Sequence, residues 1–259
     1  MAAQTTPALP KAALITGGAR RIGRAITEAL VARGFAVAIH YHRSDEEALA
    51  LVKSIQAQGG RAVALKADLS SESDVSTLMP RATEALGPIG LLINNASVFD
   101  YDAASTVTRA SWDNHLETNL RAPFVLIQSL AQGLPNDAAG AVINLIDQRV
   151  WNLTPHFVSY TLSKAGLWTL TQTLALALAP RIRVNAIGPG PTLPSARQTP
   201  AQFAEQCARM PLKRGGSTEE ITAAMRFILD APSMTGQMIA LDGGQHLGWS
   251  RHTDSRPEE

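Results

Sequence analysis

The segment Thr16-Gly17-Gly18-Ala19-Arg20-Arg21-Ile22-Gly23 directly follows a short apolar run, Ala12–Thr16, and opens a helical pattern. Clustered glycines between a buried strand and a helix permit a tight turn whose backbone can approach an anion at the helix N-terminus. Such a strand lies inside a sheet, and its helix crosses back over that sheet. An ordinary strand-to-helix connection is the competing explanation of the turn by itself. Its place in an N-terminal strand–helix–strand unit favours a phosphate-binding turn.

Six further apolar runs read as strands: Phe35–His40, Ala62–Lys66, Ile89–Asn94, Ala141–Ile146, Ile182–Ala186 and Gln237–Leu241. Most are apolar on both faces, as parallel strands covered on both sides are. Helical patterns fall near Arg21–Arg33, Asp45–Gln58, Glu72–Leu86, Arg109–Ala131, Ser159–Ala179 and Thr218–Leu229. Strand followed by helix, repeated, predicts right-handed crossovers and an α/β fold, a doubly wound sheet of about seven parallel strands flanked by helices on both faces. With no Pro/Ser-rich linker and no internal repeat, one domain over residues 11–250 is expected, with loose tails at 1–10 and 251–259.

Composition removes several function classes. Lys plus Arg number 23 and Asp plus Glu 22, a net charge of +1 that gives no strong pull toward nucleic acid or anionic membrane. The apolar stretch Leu170–Ala179 is too short for a bilayer, which needs about 20 residues. Met1–Pro10 lacks the basic start and apolar run of a secretory signal. Cys207 is the single cysteine, so no intramolecular disulfide forms, and the six histidines show no metal-ligand spacing. A protein of the reducing cytoplasm with no metal centre is expected.

The second strand ends in His40-Tyr41-His42-Arg43-Ser44. An acid about 20 residues after the turn would hold the ribose hydroxyls of NAD. Arg43 and Ser44 instead suit a 2′-phosphate, with His40 and His42 on the same loop, so the expected cofactor is NADP(H). An exposed basic loop is the alternative. Asp68-Leu69 and Asn94-Asn95-Ala96 follow the third and fourth strands, at the strand ends where open α/β sheets bind ligands. Asp68 equally suits a helix cap, and Asn94 a turn. In Tyr160-Thr161-Leu162-Ser163-Lys164 the spacing of four puts phenol and ammonium on one helix face. A neighbouring ammonium favours phenolate, so the pair can exchange a proton beside a hydride carrier.

The glycine turn, Asn94-Asn95-Ala96, Tyr160-xxx-Lys164 and Gly188-Pro189-Gly190 together resemble the short-chain dehydrogenase/reductase family over nearly the whole chain. The resemblance implies a Rossmann-type domain. Two departures stand out: Arg21 occupies a position that is usually glycine, and Asp147 the position of the usual catalytic serine. Both are similar to the pteridine reductase subgroup, as are the 40–44 loop and Asn95-Ala96-Ser97 followed by Phe99.

The resemblance implies cofactor contacts from Gly17, Arg21, Ile22, Asp68, Leu69, Asn95, Ala96, Ser97, Pro189 and Gly190. Lys164 would hold the nicotinamide ribose, and Asn119 would interrupt a helix and hold a relay water. A pterin, a dihydropterin or dihydrofolate, would be reduced by hydride from NADPH, with Tyr160 and Asp147 protonating a ring nitrogen. Phe99 would stack on the bicyclic ring, and Arg21 and Ser97 would touch the substrate; core packing is the other explanation of Phe99, and a helix cap or a loop ion pair with Arg149 that of Asp147. Residues 192–210 correspond to the substrate lid. Trp151, His156 and Trp249 are either pocket or packing residues. The apolar Gly236–Trp249 end and the family habit imply a homotetramer or dimer. A carbonyl reductase of a 3-oxoacyl thioester or sugar ketone, and a non-catalytic NADP(H)-binding regulator, are the competing functions.

Overall fold

The computed structural model describes residues 7–195 and 198–248. The expected tail at 251–259, Trp249, and Ala196-Arg197 of the lid lie outside the described residues. Seven strands form a single sheet: β1 (Ala12–Ile15), β2 (Ala36–Tyr41), β3 (Ala62–Lys66), β4 (Leu91–Asn94), β5 (Gly140–Leu145), β6 (Ile182–Pro189) and β7 (Met238–Leu241). Their order is β3-β2-β1-β4-β5-β6-β7, and all pairs are parallel. This is the expected doubly wound, Rossmann-type α/β fold.

Alternation along β1 shows how the layers form. Ala12 and Leu14 face one way, toward α3 (Glu72–Leu86), α5 (Ala122–Gly133) and α6 (Val158–Ala177). Ala13 and Ile15 face the other, toward α1 (Arg21–Val31), α2 (Asp45–Ala57) and α8 (Thr218–Asp230). A strand buried on both faces favours apolar side chains except where a polar one finds a partner, hence the nearly continuous apolar runs. Among the described residues no helix is long and apolar enough to cross a membrane. Residues 8–10, expected within a loose tail, are tied down: Ala139 donates its N–H to the Ala8 carbonyl at 3.1 Å, and Leu9 packs on the core.

The helix expected over Arg109–Ala131 is broken into α4 (Arg109–Leu116), a π-helical turn (Glu117–Arg121) and α5. Pro123 supplies part of the reason, since it has no N–H for the Asn119 carbonyl four residues earlier. The 192–210 segment, expected as a lid, carries α7 (Pro200–Ala208), started by a capping box between Thr199 and Gln202.

One polar chain crosses the core. Asn94 Nδ2 donates to Asn144 Oδ1 at 2.8 Å, and Asn144 Nδ2 donates to Thr171 Oγ1 at 2.9 Å, tying β4, β5 and α6 together. Asn144 is fully buried. Asn144→Ala leaves the Asn94 amide without this acceptor, at a cost of about 1–3 kcal/mol. Thermal unfolding should show a midpoint lower by about 2–4 °C for each kcal/mol lost.

Candidate active site

Strand order reverses between β1 and β4, and the chain turns away on opposite sides there, opening a crevice at the strand ends. The glycine turn forms one wall. Gly17 has φ +60°, and a Cβ on Gly23 would lie 2.0 Å from the Gly17 carbonyl oxygen, so the first turn of α1 can pack here only without a side chain. Asn95 Nδ2 donates to the Thr16 and Gly17 carbonyls at 2.9 and 3.1 Å, and Thr16 Oγ1 accepts from the Asn95 and Ala96 N–H groups. Asn95 thus holds the turn to the end of β4.

His40 also points inward. Its Nδ1 accepts the Gly17 N–H at 3.1 Å, and its Nε2 lies 3.2 Å from the Ala67 carbonyl, a pairing that fits a neutral ring protonated on Nε2. Burial pushes its pKa down to about 4. Beyond it a cavity of about 450 Å³ is lined by His42, Arg43, Asp68, Ala96 and Ser97 among others. Asp68 accepts the Ser70 N–H and hydroxyl, which hold its carboxyl below the usual range, and lies 3.7 Å from His42. Helix α3 is capped by Ser71 instead. Leu69 is buried in the core. Ser44 stands before α2 with no side-chain cap bond. The acids that follow are engaged, Asp45 with Lys66 at 3.1 Å and Glu47 with Arg20 at 3.5 Å.

Across the crevice, Tyr160 Oη donates to Asp147 Oδ2 at 2.8 Å. Asp147 is extended (φ −160°), and its Oδ1 accepts the Arg149 N–H at 2.8 Å, so it both caps the Gln148–Val150 turn and receives the phenol. Lys164 Nζ donates to the Leu145 carbonyl at 2.8 Å and lies 5.9 Å from the centre of the Tyr160 ring. Burial lowers the lysine to about 8. The sequence leads one to expect a phenol made more acidic by Lys164. In this structure burial, followed by the Asp147 carboxylate, pushes Tyr160 well above its ordinary value, and Arg149 is the cation that pulls it down. Tyr160 is therefore a neutral phenol at neutral pH, a proton donor.

Asn119 reaches in from the π turn. Its Oδ1 accepts the Val98 N–H at 2.8 Å, and its Nδ2 donates to the Val98 carbonyl at 2.9 Å and to Ser163 Oγ at 3.0 Å. Its side chain thus fixes the loop after β4 to α6. Ser97, on that loop, also donates to Asn119 Oδ1 at 3.2 Å.

A second cavity, about 230 Å³, is lined by Arg21, Ile22, Phe99, Asp147, Arg149 and Gly190, together with Leu193 and Phe203 of the 192–210 segment. Pro189 ends β6 beside it. Arg21 has φ +53°, the left-handed conformation that favours glycine, and its guanidinium donates to the Pro194 and Leu193 carbonyls of the lid at 2.7 and 3.1 Å. Phe99, 41% exposed, stacks on Phe157 at 4.5 Å and meets Tyr160 edge-on at 4.6 Å.

Trp151 packs between Trp168 and His246, and His156 against Tyr101. Sequence reasoning missed Phe157, the aromatic surroundings of the Arg149 guanidinium, and the buried Asp102–Ser159–His115 hydrogen bonds that anchor the start of α6. Arg149 is expected from sequence only as an ion-pair partner of Asp147, which instead accepts its backbone N–H; Ser159, beside the tyrosine, carries the other signal.

His40 gives a pH prediction. The folded ring holds its proton less tightly than the unfolded one, so its contribution to stability is fully present above about pH 6.5 and is lost as pH falls toward 4. Between pH 7 and 5 the loss should be about 2 kcal/mol. Urea unfolding at the two pH values checks this, with His40→Gln removing that part of the dependence.

A family model described as Enoyl-(Acyl carrier protein) reductase matches residues 17–246. The 3-oxoacyl-(acyl-carrier-protein) reductase FabG of Staphylococcus epidermidis is 32% identical over 245 residues, 92% of this chain and 99% of that protein. Among solved structures, FolM alternative dihydrofolate reductase 1 from Brucella canis, complexed with NADP, is 48% identical with a TM-score of 0.90, covering 98% of this chain and 100% of that one. A short chain dehydrogenase from Burkholderia cenocepacia in complex with NADP is 34% identical with a TM-score of 0.84, covering 91% and 98%. With this match spanning the glycine turn and the Tyr160–Asp147 pair, the chain belongs to the short-chain dehydrogenase/reductase family of oxidoreductases.

Proposed function

We propose that the protein is an NADPH-dependent reductase of a pterin, a dihydropterin or dihydrofolate, taking it to the tetrahydro form. The observation that carries this reading is the hydrogen bond from Tyr160 to the Asp147 carboxylate. A ketone reductase gains from a hydroxyl donor that stabilises negative charge growing on the substrate oxygen. A carboxylate at that place offers no such donor while ionised, and it repels the charge. An imine nitrogen of a pterin has a different need, a proton delivered as the neighbouring carbon takes hydride. The Brucella dihydrofolate reductases, 48 and 50% identical to this chain, support the same reading.

The cofactor fits the crevice on structural grounds. Gly17 and Gly23 leave a cradle that a Cβ would crowd, and His42, Arg43 and Ser44 bring donors to the end of β2 where a 2′-phosphate would be recognised. NADPH, when bound, supplies the hydride. Lys164 would hold the nicotinamide ribose, with Asp68, Ala96, Ser97, Pro189 and Gly190 bordering the cofactor. Neutral Tyr160 gives its proton to the substrate nitrogen, and the resulting phenolate is balanced by Lys164 and Arg149. Asp147 orients the phenol and accepts its hydrogen bond until substrate enters. Phe99, which lines the cavity beside Asp147, would pack against the bicyclic ring, and the lid would exclude water. Assembly as a homotetramer or dimer belongs to this proposal. Leu162 and Leu176 expose apolar surface on α6, which suits burial against another copy.

The FabG relatives favour a second reading, reduction of a 3-oxoacyl thioester. One assay separates the two: the fall in NADPH absorbance with dihydrobiopterin, dihydrofolate or an acetoacetyl thioester. Turnover should be confined to the pterins and be faster with NADPH than with NADH. Tyr160→Phe and Asp147→Ala should each lower kcat by about 100-fold or more with NADPH binding kept. Turnover on the thioester alone would overturn the pterin reading.

A further inference from the structure

Arg149 holds a cation beside Asp147 in the pocket. Its Nε and Nη1 are buried and have no acceptor among the described residues. The guanidinium lies 4.8 Å from the Phe157 ring centre, 5.5 Å from that of Phe99 and 5.9 Å from that of Tyr160. Its backbone is fixed by the Asp147 cap at 2.8 Å. Aromatic faces attract a guanidinium, but they are poorer partners than oxygen, and buried charged donors are rarely left unpaired unless a ligand completes them. The arginine lines the same cavity as Asp147 and Phe99, where Arg21 is already committed to lid carbonyls.

We infer that Arg149 is a substrate-binding residue whose guanidinium receives an oxygen acceptor, a carbonyl or carboxylate, of the molecule reduced beside Tyr160. The inference rests on the reading of this cavity as the reductase site. It narrows the substrate class to molecules that bring such an oxygen close to the reducible bond. A ring carbonyl of a pterin and a carboxylate of a folate tail share that chemistry. Because no protein acceptor among the described residues pairs these donors, the residue favours binding over stability. Arg149→Met keeps the apolar stem against Phe157 while removing the charge, so it should fold with an unchanged or higher melting temperature.

The test is calorimetric titration of the NADP⁺-loaded protein with dihydrobiopterin and with dihydrofolate, in wild type, Arg149→Met and Arg149→Lys. The methionine variant should weaken ligand binding about tenfold or more, with NADP⁺ affinity unchanged and the lysine variant recovering part of the loss. Loss for both ligands places the acceptor on the ring, and loss for dihydrofolate alone places it on the tail. Wild-type affinity for both in Arg149→Met, or an equal loss of NADP⁺ affinity, would overturn the inference. If wild type binds neither pterin, the pterin reading fails on its own. The inference is then decided by KM for the acetoacetyl thioester, which should rise in Arg149→Met and would overturn the inference if unchanged.

Discussion

The crevice depends on a small knot of hydrogen bonds where β1, β2 and β4 end. Strand order reverses there, so neighbouring connections leave in opposite directions and nothing in the sheet itself fixes the loops. Thr16 Oγ1 accepts two backbone N–H groups after β4, Asn95 returns two bonds to the turn, and His40 takes the Gly17 N–H from the side of β2. Three loops become one rigid rim. Residues expected from sequence as direct cofactor contacts, His40 and Asn95, spend their side chains on this rim. Loss of that work would disturb every group the rim positions.

A rigid rim allows the opposite wall to hold an uneasy arrangement of charge. Tyr160 and Lys164 are both buried, and burial pushes the two in opposite directions, the phenol up and the ammonium down to about 8. Each shift favours a neutral form. A neutral phenol is the right state for a donor, but the phenolate left after transfer needs a cation close by. Lys164 is turned to the Leu145 carbonyl, and the Arg149 guanidinium lies 5.9 Å from the centre of the Tyr160 ring. In the proposed reaction the two cations together would balance the phenolate that Tyr160 leaves.

The fold was legible because strands buried on both faces leave continuous apolar runs, and because the glycine turn and the Tyr160–Lys164 spacing are local patterns. The Tyr160–Asp147 contact was legible only through the family resemblance that paired them. Other features rest on distant contacts. Phe157 takes the left-handed conformation (φ +58°) before α6, stacking on Phe99 across the pocket, and no local sequence rule asks that of a phenylalanine. The π turn was half visible: Pro123 denies the Asn119 carbonyl a donor, yet the side-chain bonds of Asn119 to Val98 and Ser163 join segments far apart in sequence. The aromatic packing of Arg149 belongs to the same class, since none of its three ring neighbours is adjacent to it in the chain.

Arg21 shows why such a departure persists. A non-glycine residue at φ +53° carries a conformational cost of about 1–2 kcal/mol, which a glycine would avoid. A glycine, however, has no side chain to reach the Leu193 and Pro194 carbonyls. Those bonds are charge-assisted and cross from the turn that begins α1 to the segment that leads into α7. The strained backbone therefore aims a cation at the segment before α7, and the two bonds tie that segment to the glycine turn.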